Sequence, residues 1–139
     1  MTGLGLRDRL RQQVLEFGLI GCVDLSYIHR MVEDQMPGAD SSALQQATIE
    51  TIRSLAEDGL VETGYPENGE FVHESLDLFL QEVHAMYVVQ YDEPSAWFQQ
   101  LFVNLTDKGV AVAMSTSEGR RIAEYERQRL QSIDDPTRR

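Results

Sequence analysis

The sequence predicts a mostly helical α+β domain, and three observations carry that reading. Apolar residues recur every three or four positions through much of the chain, the period of an amphipathic helix. Two short stretches, residues 60–64 and 96–105, are richer in β-branched and aromatic residues and read as strands. Turn-forming clusters such as Pro37-Gly38, Asp58-Gly59 and Tyr65-Pro66-Glu67-Asn68-Gly69 separate the segments.

In chain order, Leu6, Leu10, Val14 and Phe17 form the stripe of a first helix that ends near Gly18. Asp24 is the expected N-cap of a second helix, with Leu25, Ile28 and Val32 inward. Asp40 or Ser41 caps a third, carrying Leu44, Ala47, Thr51, Ile52, Leu55 and Ala56. A strand over 60–64 ends at the Tyr65–Gly69 turn cluster. Leu76, Phe79, Leu80, Val83 and Tyr87 predict a helix over 75–89, with Glu74 and Asp77 in its first turn. Tyr91-Asp92-Glu93-Pro94-Ser95 breaks the chain before the second strand, 96–105, whose two faces are both apolar. Thr106 begins a further helix. Ser115 and Glu118 have capping-box spacing for a last helix at about 117–132, with Ile122, Tyr125 and Leu130 as its apolar residues. Residues 134–139 read as a disordered tail.

The 139 residues suit one domain, 1–133, large enough for a real core. The start has no apolar stretch of signal-peptide length, and the longest apolar runs, such as 85–89, are far too short to span a bilayer, so a cytoplasmic protein without membrane contact is expected. The single cysteine, Cys22, excludes an intrachain disulfide and reads as a small apolar residue.

Charge is the most distinctive feature. Between Ser54 and Asp107 the chain has eleven acidic residues and neither lysine nor arginine. Over residues 12–107 there are two basic residues against seventeen acidic ones, whereas Arg7, Arg9, Arg11 and the last 32 residues are net basic. A folded surface of this kind repels phosphate and attracts cations.

No catalytic motif accompanies the charge. There is no GxSxG elbow, phosphate-binding glycine loop or HExxH pair. His73 and Asp77, with Glu70 and Glu74 nearby, suggest a metal site only weakly, and the simpler reading is a solvated helix start. His84 reads as a partly buried, hydrogen-bonded side chain, and His29 has Glu33 as an ordinary helical neighbour. The expectation is a non-enzyme that needs no cofactor and no metal.

Two segments carry a family resemblance. "IRSLAEDGLVETG", residues 52–64, resembles a recognition helix entering the first wing strand of MarR-like and PadR-like winged helix-turn-helix proteins. "FVNLTDKGVAVAM", residues 102–114, resembles the second wing strand and the following helix start. The resemblance covers about residues 6–114 and is closest to small uncharacterised actinobacterial winged-helix proteins with an acidic, helix-containing wing insertion. It implies a winged helix-turn-helix with a helix inserted between the wing strands, the insertion covering about 66–96, and a C-terminal helix. The supposed recognition helix, however, offers Arg53 alone against Glu50, Glu57 and Asp58, with Gln45 and Gln46 as its only base-reading amides.

The expected function is therefore an acidic protein-interaction module for a basic protein partner, most concretely an immunity protein or antitoxin that blocks a nuclease-like toxin. The alternative is a winged-helix transcriptional regulator that brings its basic ends to DNA. The expected partner-binding residues are Glu67, Glu70, Glu74, Asp77, Glu82, Tyr91, Asp92, Glu93 and Trp97. Tyr91 and Trp97 have two readings, as core or as an exposed anchor ringed by acids. A homodimer through the C-terminal helix is a further expectation.

Overall fold

The computed structural model describes residues 5–134, with side-chain burial to residue 133; the tail expected at 134–139 lies outside this range except for Asp134. Helix α1 (Leu6–Gly18) buries Leu10, Val14 and Leu15. Strand β1 (Val23–Asp24) leads directly into α2 (Leu25–Gln35), where Asp24 accepts the Ser26 N–H at 3.2 Å. Helix α3 (Ser41–Glu57) starts in the same way, with Asp40 accepting the Ala43 N–H at 2.8 Å. Each such cap contributes about 1 kcal/mol. Ile28, Val32, Ile52 and Leu55 meet in one continuous core that also takes in Phe79, Val83 and Tyr87.

The protein is a mostly helical α+β fold with a small antiparallel sheet, as the sequence predicts. Its strands are β1, β2 (Val61–Glu67), β3 (Glu70–Glu74) and β4 (Phe102–Leu105), in the order β1-β4-β2-β3. Val103 faces Val23 on one side and Thr63 on the other, so the last strand in sequence lies between the first two.

Several expectations are corrected. First, residues 65–74 are not a turn followed by a helix start but a hairpin. Strand β2 runs on through Tyr65 and Pro66 and reverses at Asn68-Gly69, which adopt φ of 54° and 83° before β3. Left-handed backbone at both turn residues is what a two-residue hairpin turn requires. Pro66 is tolerated because β4 accompanies β2 only as far as Gly64. At Gly64 a side chain has no room, since a Cβ would lie 1.8 Å from the Val72 carbonyl oxygen. Glu74 and His73 are consequently strand residues, and only Asp77 occupies the first turn of α4 (Leu76–Val83).

Second, the strand expected over 96–105 shrinks to β4. Pro94–Ala96 is a single 3-10 turn, and Trp97–Gln100 are turns that fold Trp97 into the core. Third, α4 continues as a π-helical turn, His84–Val88, closed by the Val89 N–H on the His84 carbonyl at 2.9 Å. Helix α5 (Asp107–Ala113) is capped by Thr106 as expected, whereas Thr116, not Ser115, accepts the Gly119 N–H at the start of α6 (Ser117–Asp134).

Candidate functional site

Where β2 and β3 outrun β4, the two-stranded ribbon leaves an open cleft of about 750 Å³. Tyr65 and Pro66 form one wall, Glu82 of α4 and Met86 of its π-turn another, and Asp24, Gln99, Gln100 and Phe102 complete it. Asp24 fixes this corner with both oxygens: Oδ1 caps α2, and Oδ2 accepts the Gln99 N–H at 2.9 Å. That bond helps hold Gln99 at φ 60°, a left-handed conformation that costs a non-glycine residue about 1 kcal/mol. Thus an N-cap legible in the sequence also shapes a surface 75 positions away in the chain.

Glu82 is the most perturbed acid in the cleft. Its carboxyl shares a hydrogen bond with Glu74 of β3 and is partly buried, and together these raise its pKa to about 7. Two carboxylates in contact cannot both ionise without repulsion, so they share a proton. Such a pair releases its proton and gains Coulomb energy when a cationic group arrives.

The other expected acids do not form one patch. Glu67 and Glu70 face each other across the hairpin end, exposed, and Asp77 is exposed at the start of α4. Asp92 and Glu93 are exposed beyond the far end of the helical stretch that begins at Leu76. Among the described residues none of Glu67, Glu70, Glu74, Asp77, Glu82, Asp92 or Glu93 forms an ion pair with Lys or Arg.

Trp97 is 4 % exposed, which removes it as a surface anchor and settles it in the core. Its indole N–H donates to the Tyr91 carbonyl at 3.2 Å, and its ring stacks on that of the half-buried Tyr91 at 5.7 Å. Both pack around His29, whose position here no local pattern indicates. His29 is 7 % exposed and lies between two phenols: Nδ1 is 2.5 Å from the Tyr87 hydroxyl and Nε2 is 3.1 Å from that of Tyr91. Burial lowers the His29 pKa and raises those of Tyr87 and Tyr91. A neutral imidazole has one N–H and one lone pair, which two hydroxyls satisfy completely. The cluster is a satisfied polar core. By contrast His84, expected to be partly buried, is exposed, as is Phe98.

A second, smaller cavity of about 290 Å³ lies on the other side of Asp24 and Phe102, between the end of α1 and the start of α2. It is mainly apolar, lined by Phe17, Ile20, Val23 and Tyr27, with Cys22, whose thiol pKa burial raises.

On α3 the two amides separate. Gln46 is exposed, but Gln45 donates to the Tyr87 carbonyl at 3.3 Å, and Arg53 pairs with Glu50 at 3.4 Å. On α6 the arginines are tied locally, Arg121 to Glu118, Arg127 to Glu124 and Arg129 to Glu126, while Tyr125, Leu130 and Ile133 are exposed. No cluster of three metal-ligating side chains occurs among the described residues, and no helix there is long and apolar enough to cross a membrane. No family model, curated protein or solved structure matches the chain.

Proposed function

We propose that this chain is a non-enzymatic interaction module on a winged helix-turn-helix core, and that its acidic side binds a basic protein. The single observation that carries the reading is that Glu67, Glu70 and Glu74 of the hairpin, Asp77 and Glu82 of α4, and Asp92 and Glu93 beyond its π-turn have no cationic partner among the described residues. Five of them are exposed and packing does not require those, and Glu74 and Glu82 repel each other when both are ionised. A positively charged surface removes that repulsion and speeds encounter. The most concrete form is an immunity protein or antitoxin that occupies the phosphate-binding cleft of a nuclease-like toxin.

The winged-helix part of the reading is supported by the order α1-β1-α2-α3-β2 and by β4 lying between β1 and β2, with β3, α4 and the π-turn as additions. The acidic α3, with Gln45 turned to the protein and Arg53 paired, speaks against reading DNA through that helix.

The test has two arms. The partner is captured from the native host and identified by mass spectrometry, and its association is timed against the full chain. Reversing Glu67, Glu70 and Asp77 to lysine, all exposed, should slow association and flatten its salt dependence. In parallel, anisotropy with duplex DNA should show no binding. Micromolar affinity that persists at about 150 mM salt would overturn the proposal in favour of a DNA-binding regulator.

A further inference from the structure

The two cavities adjoin, with Asp24 and Phe102 as their common wall, and they differ in character. On one side Ile20 and Tyr27 stand 52 % and 50 % exposed around an apolar crevice. On the other, Glu82 lines the cleft with Glu74 bonded behind it. Among the described residues no lysine or arginine lines either half.

We propose that this groove docks a segment of the basic partner carrying one large apolar side chain and, a few residues away, a lysine or arginine. The apolar side chain enters the crevice against Phe17, Ile20 and Tyr27, and the cation meets Glu82 and Asp24. The proposal rests on the basic-partner reading and adds to it where the contact is made and what it selects. Charge complementarity chooses the occupant. A purely apolar segment would bury carboxylates without compensation, and a purely basic one would leave Ile20 and Tyr27 in water. A segment with both satisfies each half, and the exposed amides of Gln99 and Gln100 lie beside its backbone. Interfaces commonly concentrate their affinity in this way, in an anchored apolar side chain beside a matched charge.

The chain offers its own reporter, because Cys22 is its only thiol and lines the crevice. The probes are short Gly/Ser peptides in which one Leu precedes one Arg by a few residues, together with versions carrying Ser for Leu or Gln for Arg. Binding to the full chain is followed by nitrogen–proton correlation spectra and by alkylation of Cys22. The Leu/Arg peptide should shift the amides of Gly21, Gln99 and Gln100 and slow the alkylation. Either single replacement should weaken binding about tenfold, as should Ile20→Ser or Glu82→Lys in the protein.

Shifts confined to other surfaces, or affinities indifferent to both variants, would overturn the groove. So would Cys22 protection that rises with protein concentration in the absence of peptide, which would mean that a second copy fills it. None of these results touches the basic-partner reading, which fails only if the lysine reversals on the hairpin and α4 leave partner association unchanged or if DNA binds.

Discussion

His29 Nδ1 lies 2.5 Å from the Tyr87 hydroxyl, joining the second helix to the π-helical turn that continues α4 at the centre of the molecule. The stretch from Leu76 to Val88 is thus part of the core, and its removal would open the protein.

His29→Leu should cost about 1–3 kcal/mol, because the buried Tyr87 hydroxyl loses its partner. Adding Tyr87→Phe should recover part of that loss, since the Tyr87 hydroxyl left without its imidazole partner is then gone, although that of Tyr91 remains. Denaturant unfolding of the two single variants and the pair reads the coupling. Strictly additive losses would show that the two side chains do not interact.

The Glu74–Glu82 pair predicts an unusual pH dependence. Between the ordinary carboxylate value of 4.5 and about 7 the folded chain keeps a proton on Glu82 that the unfolded chain has released. The folded state then binds more protons, so this contribution to stability is full at low pH and fades as pH rises to about 7. Glu82→Gln has no such proton to lose. Its melting temperature should match the wild type near pH 4.5, exceed it increasingly up to about pH 7, and keep a constant lead above that. Because His29 is common to both proteins, its own titration cancels in the difference. A lead that does not vary with pH would contradict the shared proton.

His29 acts in the opposite direction. Its folded pKa is lowered by burial, so the unfolded chain takes up a proton first as pH falls below 6.5, and stability is lost there. In the Glu82→Gln background, where the carboxyl contribution is absent, melting temperature should fall on acidification through this range. His29→Gln in the same background should flatten that slope.

Trp97 is the only tryptophan, and at 4 % exposure its fluorescence should be blue-shifted and resistant to aqueous quenchers. Trp97→Ala should destabilise the fold by about 3–5 kcal/mol, the range for emptying a large aromatic site. Emission characteristic of water, or a variant of unchanged stability, would mean that the ring lies outside the core.

At the hairpin turn, Gly69 has a φ of 83° that a β-branched side chain resists. Gly69→Val should lower stability by about 1–2 kcal/mol and increase amide exchange in β3, with α1 and α2 unaffected. Uniform exchange across the molecule would show that the hairpin does not open by itself.

The sequence alone determined the local features. Apolar spacing in the first three helices, the cap Asp24, a cap at Asp40 or Ser41, the helix start at Thr106 and the mostly helical α+β class depend on interactions within a few residues, and each is present in the structure, with Asp40 and Thr106 as the caps. The separation of acidic and basic residues is likewise a property of composition. The Asn68-Gly69 pair was a hairpin signal in plain view, obscured by Pro66, which a strand normally excludes from its interior. Tertiary structure decided the rest. Residues 96–101 have strand-like composition, but Trp97 gains more by packing on Tyr87 and Tyr91 than by extending the sheet, so only Phe102–Leu105 remain as β4. His29 with its two phenols, Glu74 with Glu82, and Asp24 with Gln99 are contacts between different elements. Sequence periodicity fixes which face of a helix is buried, but not which side chain from elsewhere it will meet, and burial and charge at these sites depend on that meeting.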